Sequence, residues 1–174
     1  MADIKDPENT LLMETSQGAV VIELLPNLAP GHCERIKELA REGFYDGVVF
    51  HRVIEGFMAQ GGDPTGTGMG GSEKPDLAAE FSAEPHVRGI CSMARSQSPN
   101  SANSQFFIVF GDAGFLDNQY TVWGRVIDGM DNVDKFKRGE PVQGPDSMVS
   151  VKVAADTMEK KAEEKSADDA GSDE

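Results

Sequence analysis

Arg52 stands in the run Phe50-His51-Arg52-Val53-Ile54-Glu55-Gly56-Phe57-Met58-Ala59-Gln60-Gly61-Gly62-Asp63, where the residue types could do chemistry together. Val48 to Val53 alternates and is β-branched, so it reads as a strand, with Phe57 to Gln60 as the next. Alternation puts Phe50 and Arg52 on one face, His51 and Val53 on the other, and Met58 with Gln60 on a shared face. An arginine beside aromatic, thioether and amide groups would make a mostly apolar pocket with one fixed cation. An arginine that only lays its stem along a barrel wall fits the same pattern, and the pattern alone does not choose between them.

Other constellations offer less. Gly66-Thr67-Gly68-Met69-Gly70-Gly71 is rich enough in glycine for a phosphate loop, but Ser72-Glu73-Lys74-Pro75 follows where a helix should open. A tight surface loop is the better reading. His32, His51 and His86 lack metal-ligand spacing, and no Gly-x-Ser-x-Gly elbow occurs, so neither metal catalysis nor serine acyl transfer is expected. Cys33 and Cys91 are isolated and read as small buried residues. The net charge of −14 repels nucleic-acid phosphates. No apolar run reaches the ~20 residues of a membrane helix. The N-terminus lacks the basic start and apolar stretch of a signal peptide, so a cytoplasmic protein is expected.

These residues need a scaffold, and 174 residues suffice for one domain. Nineteen glycines and nine prolines point to many turns and a β-rich fold. Leu11–Thr15 and Ala19–Leu24 predict a hairpin about Ser16-Gln17-Gly18. Pro30 opens a helix with Cys33, Ile36, Lys37 and Ala40 on one face, stopped at Gly43. Gly61 to His86 reads as a long ordered loop. Gly89–Arg95, Gln105–Phe110, Tyr120–Ile127 and Met148–Val153 read as strands, with a short helix over Met130, Val133 and Phe136 capped by Asp128. The expected fold is all-β dominated: a closed eight-stranded antiparallel β-barrel capped by two α-helices. Residues 1–9 read as a flexible N-terminal arm, 10–155 as the folded domain, and 156–174 as an acidic low-complexity tail, expected to be disordered.

The remaining segments complete a set: Ser92-Met93-Ala94-Arg95, Pro99 to Ile108 with its Ser-Gln-Phe-Phe-Ile core, and Phe115-Leu116-Asp117. Together with Phe-His-Arg and Gly-Phe-Met-Ala-Gln-Gly-Gly-Asp, they make the chain resemble the cyclophilin family of peptidyl-prolyl isomerases, in its short bacterial form, from Leu11 to Val153. The resemblance implies an enzyme that accelerates rotation about X-Pro bonds and assists protein folding, with no cofactor or metal. It makes Arg52 the catalytic group. It makes Phe57, Met58, Phe107 and Leu116 the pocket for the proline ring, with Phe115 and Tyr120 also among the substrate-binding residues. Gln60 and Gln105 would bond the substrate backbone, the Arg95 main chain would hold a residue flanking proline, and Ala94 would leave room for it. His51 lies on the opposite strand face and reads as structural.

Two positions depart from the eukaryotic pattern, Phe115 for a tryptophan and Tyr120 for a histidine. Phenylalanine cannot donate the hydrogen bond that the tryptophan gives cyclosporin, so weak binding of that drug is expected. Proline-containing polypeptides are the expected partners of a monomer. A proline-peptide binding module or holdase with little turnover is the rival reading, and a hydrolase or nucleotide-binding enzyme a distant one.

Overall fold

The computed structural model describes residues 4–157. Thr10–Thr15 (β1) and Gly18–Leu24 (β2) form the expected hairpin, in register from Thr10 opposite Glu23 to Thr15 opposite Gly18. Pro30–Arg41 (α1) follows, with Pro30 at the first helical turn and Gly43 (φ +74°) donating its N–H to the Ala40 carbonyl at 3.1 Å. Cys33, Ile36, Leu39 and Ala40 are buried. Lys37 lies at the border of that face and pairs with Glu8 at 3.5 Å. Arg35 is the buried base, donating to the carbonyls of Pro75 and Asn103.

The next strands are Arg52–Ile54 (β3), Met58–Gly61 (β4), Ile90–Met93 (β5), Phe106–Val109 (β6), Val122–Asp128 (β7) and Met148–Val153 (β8). They join one antiparallel eight-stranded sheet in the order β3-β4-β6-β5-β7-β2-β1-β8. β3 and β8 end that order and form no ladder with each other. The segment before β3 meets the segment before β8 through the Val49–Ser147 bridge and the bonds Gly47 N–H to Met148 O, Met148 N–H to Val48 O and Phe50 N–H to Asp146 O. The sheet must therefore curl until its ends approach.

Three expectations change. β3 begins only at Arg52, and Phe50 packs in the core, its ring 4.4 Å from Phe136 and 6.4 Å from Phe106. Phe50 and Arg52 thus do not share a face, because the alternation rule assumes a continuous ladder, and residues 48–51 hold only the isolated Val49–Ser147 bridge ahead of β3. The second helix is one turn, Met130–Val133 (α2), and Phe136 packs beyond it. Asp128 ends β7 opposite Val21, and Gly129 (φ +89°) holds the cap position, where a Cβ would collide with the Ala19 carbonyl. Pro7–Asn9 form a 3-10 turn tied down by Glu8, which accepts from Arg41 at 3.0 Å. Of the expected tail 156–174, Asp156 and Thr157 are described, with Asp156 accepting from Arg41 Nε at 3.0 Å, and the rest lies outside the described residues. No helix among the described residues is long and apolar enough to cross a membrane.

β6 is buried on both faces. Phe106 and Ile108 enter the main core with Trp123, Phe50 and Tyr45, while Phe107 and Val109 join a second cluster with Met58, Ile90, Leu116 and Val122. That second cluster is the floor beneath the candidate site.

The long loop is fastened to α1 by Glu80, whose carboxylate accepts from the N–H groups of Gly31 (3.1 Å) and His32 (2.8 Å) and from the buried His32 ring. It caps a helix whose own N-cap, Ala29, supplies no side-chain acceptor. Burial holds His32 below its ordinary value of 6.5 despite Glu80, and burial lowers His51 likewise. Burial would raise Glu80, but hydrogen bonds from His32 and Gly31 outweigh it and lower it from 4.5. Below pH ~6.5 the unfolded chain takes up protons that the buried imidazoles refuse, and Glu80's contribution is lost as pH falls through its depressed folded value. Urea midpoints should therefore fall steadily from pH 7.5 to pH 4. His32→Gln should flatten the upper part of that fall; an unchanged slope would remove His32 from the account.

Candidate active site

Directly opposed residues of antiparallel strands share a face, so the ladder itself assembles the site. Arg52 opposes Gln60, Gln60 opposes Phe107, and Phe107 opposes Ser92, making one row across β3, β4, β6 and β5. Ile54, Met58 and Val109 make the neighbouring row. Three connections then build walls around it: the turn carrying Phe57, the segment Ala94-Arg95 after β5, and the stretch from the 3-10 turn Gly114–Leu116 to Tyr120.

The result is a pocket of about 140 Å³ lined by Arg52, Phe57, Met58, Gln60, Ala94, Arg95, Phe107, Leu116 and Tyr120. Nine of the eleven expected site residues meet there. Gln105 lines an adjoining cleft of about 450 Å³ that Gln60, Ala94 and Arg95 share with the Gly68–Ser72 loop. Phe115 stands on the rim, 66% exposed, with its ring 5.4 Å from Phe57. Tyr120 meets Phe107 edge-on at 5.7 Å and lies under the Arg95 guanidinium, 4.6 Å from its ring centre. Arg95 also donates to the Gln119 carbonyl at 2.7 and 3.0 Å, so its side chain serves the wall.

Arg52 is held from two sides. Its Nε donates to Glu140 Oε1 at 2.9 Å and its Nη1 to Gln60 Oε1 at 3.4 Å. The second contact ends a hydrogen-bond chain of fixed direction. Gln105 Nε2 donates to the carbonyls of Gly68 (3.0 Å) and Gly70 (2.9 Å), so its Oε1 faces Gln60. Gln60 Nε2 donates to that oxygen at 3.0 Å, which turns Gln60 Oε1 toward the guanidinium. Were either amide reversed, like would face like.

The chain starts from Asp63, which is fully buried. Its carboxylate accepts from the N–H groups of Thr65 (2.8 Å), Thr67 (3.2 Å), Gly68 (2.7 Å) and Gly70 (3.0 Å), and from the Thr65 hydroxyl. Burial alone would raise this carboxyl; the N–H groups of Gly70, Thr65 and Gly68 outweigh it and hold it well below the usual carboxylate range. The glycine-rich loop is thus an anion nest already filled by the chain's own carboxylate, and a Cβ at Gly70 would collide with it. Sequence reasoning quoted Asp63 and gave it no role.

It also missed the layer behind Phe107. The buried His86 ring reaches Asp117 Oδ1 at 2.9 Å and Ser92 Oγ at 3.0 Å, and stacks 6.2 Å from Phe107. The spacing copies a serine hydrolase triad, but Ser92 is fully buried with its hydroxyl on the Thr121 carbonyl at 2.9 Å, so it supports the floor. Among the described residues, no group of three or more His, Cys, Asp or Glu is placed to hold a metal.

Residues 10–157 match the family model described as cyclophilin type peptidyl-prolyl cis-trans isomerase. A probable peptidyl-prolyl cis-trans isomerase of Brucella suis is 53% identical over 172 residues, covering 90% of this chain and 88% of the relative. A peptidyl-prolyl cis-trans isomerase of Schizosaccharomyces pombe is 45% identical over 122 residues, covering 68% and 78%. Among solved structures, a cyclophilin of Hirschia baltica superposes with a TM-score of 0.81 at 33% identity, over 87% of this chain and 76% of that one. A Cryptosporidium parvum cyclophilin, crystallised in the presence of the dipeptide Ala-Pro, superposes with a TM-score of 0.77 at 30% identity, over 83% and 98%. With the family model matched over residues 10–157 and a relative 53% identical over 90% of its length, the chain belongs to the cyclophilin-type peptidyl-prolyl cis-trans isomerases.

Proposed function

We propose that Arg52 is the catalytic group, and that the pocket of Phe57, Met58, Phe107 and Leu116 holds the proline ring while rotation occurs on its N-terminal side. The supporting observation is the guanidinium itself, gripped through Nε and Nη1 in the wall of a pocket of about 140 Å³. Gln60 and Gln105 offer polar atoms to the flanking backbone, the Arg95 main chain holds a residue beside proline, and Ala94 leaves the cleft open to it. Exchange NMR on a short X-Pro peptide tests this. Cis and trans resonances should exchange at a few per cent of enzyme, and peptide shifts without exchange would leave only a binding module.

The substrates in this reading are proline-containing polypeptides whose folding waits on X-Pro isomerisation, a step of about 10–100 s uncatalysed. Two free, buried cysteines support a reducing, cytoplasmic setting. The folded unit is residues 10–155, acting as a monomer. The contacts between the segments before β3 and β8 support a sheet closed into a barrel.

Phe115 makes the site a poor one for cyclosporin, since an exposed phenyl ring offers no donor. Phe115→Trp should raise cyclosporin affinity about tenfold, the worth of one good hydrogen bond, with peptide turnover within about twofold. Equal affinities of the two proteins would end this explanation.

A further inference from the structure

Glu140 belongs to none of the motifs quoted for the family resemblance, although it lies within the matched span; it is 88 residues from Arg52 in sequence, yet its carboxylate is on the Arg52 Nε at 2.9 Å. The backbone puts it there. Gly139 and Val53 exchange both of their hydrogen bonds, at 2.9 and 2.8 Å, and the Val142 N–H donates to the His51 carbonyl at 2.9 Å. Residues 139–142 are therefore laced to β3 on both sides of Arg52, and Glu140 is the acidic residue between the two anchors. Gly139 permits the tight path, since a Cβ there would lie 2.8 Å from the Pro141 carbonyl oxygen. The neighbouring charges are spoken for, Arg138 pairing with Glu55 at 2.6 Å.

The contact does two things. It occupies the Nε donor, so that with one Nη1 donor on Gln60 the donors left for a peptide are the remaining ones on the two terminal nitrogens, and it fixes the plane in which they lie. It also sets a negative charge directly beside Arg52, a lining residue of the pocket, although Glu140 does not itself line it. The Glu140 side chain is 61% exposed, so lone pairs not used by Arg52 face the solvent that a bound peptide would cross. Resting on the assignment of Arg52 as catalytic, we propose that Glu140 is a positioning residue for Arg52 and the determinant of charge preference. It favours a basic residue beside the substrate proline and disfavours an acidic or phosphorylated one.

The test measures kcat and KM for wild type, Glu140→Gln, Glu140→Ala and Arg52→Ala. The peptides carry Lys, Ala or Glu next to proline, on either side, at low and high salt. Wild type should turn over the Lys peptide about three- to tenfold faster than the Glu peptide at low salt, a preference that salt erodes. Glu140→Gln keeps an acceptor for Nε without the charge, so the Lys-to-Glu ratio should fall toward one. Glu140→Ala should lower kcat several-fold on all peptides with little change in KM, and Gln should restore most of it. An unchanged ratio in the Gln variant overturns the charge role; an unchanged kcat in the Ala variant overturns the positioning role. Arg52→Ala reports on the underlying assignment separately. If it stays active while Glu140→Gln still shifts the ratio, the catalytic assignment fails and the charge preference stands.

Discussion

Arg52→Ala is expected to lower kcat/KM on an X-Pro peptide by at least about a hundredfold with the fold intact. Rotation about a prolyl amide faces a barrier of ~18–20 kcal/mol because the planar amide is resonance-stabilised. In the twisted transition state that resonance is lost and the proline nitrogen regains a lone pair. An N–H donor aimed at that nitrogen bonds the transition state and finds nothing to bond in the planar ground state, so its effect falls on kcat. One well-aimed donor in a water-poor site is worth about 2.7–4 kcal/mol, or two to three decades of rate. Bringing an uncatalysed step of tens of seconds to milliseconds takes about four decades. In the proposed mechanism the rest comes from holding the proline ring while the flanking backbone is oriented. Trp123, fully buried and the chain's single tryptophan, gives the check on folding: its emission should match wild type. A folded mutant within a few-fold of wild-type turnover would remove Arg52 from the mechanism.

The second large effect is expected at Asp63, which touches no substrate-facing surface. Asp63→Asn keeps the shape but turns one polar atom from acceptor to donor against a ring of N–H groups. Hydrogen bonds to a buried charge carry about 1.5–3 kcal/mol, so a loss of about 3 kcal/mol is expected in urea unfolding. Turnover should fall about tenfold or more. Gly68 and Gly70 present the carbonyls that orient Gln105, and through Gln60 that orientation reaches Arg52. Because the folded carboxyl is held below its ordinary value of 3.8, the contribution is present above that pH and is lost only as pH falls through the depressed value. The wild-type loop should therefore hold at pH 5. Activity and stability both within error of wild type in the Asn variant would show that the chain of amides does not transmit.

Much of this was legible in the sequence because strand pairing maps sequence spacing directly onto space. Arg52, Gln60 and Met58 are close neighbours in sequence and adjacent across one hairpin ladder. Phe107 was harder, since β6 shows no alternation, and both of its faces turn out to be buried. What sequence could not show were contacts made by irregular backbone. The carbonyls of Gly68 and Gly70 have no side chain to advertise them, and Glu140 reaches Arg52 only because its loop is laced to β3. The His86, Asp117 and Ser92 set is scattered over loop, turn and strand, with no periodicity to reveal it. Alternation places Phe50 on the wrong face for the converse reason: its residue types look like strand where the ladder has not yet begun.

The two-faced burial of β6 also decides how a substrate can arrive. The face that carries Phe106 and Ile108 is packed solid with Trp123, Phe50 and Tyr45, so no peptide enters the interior. The pocket proposed for proline lies on the opposite face, over Phe107 and Val109, and shares Gln60, Ala94 and Arg95 with the cleft beside Gly68–Ser72. A polypeptide need not be threaded or cut to a given length to reach it. It can be laid across from outside, at any proline with a few free residues on each side, and lifted off again once the bond has turned.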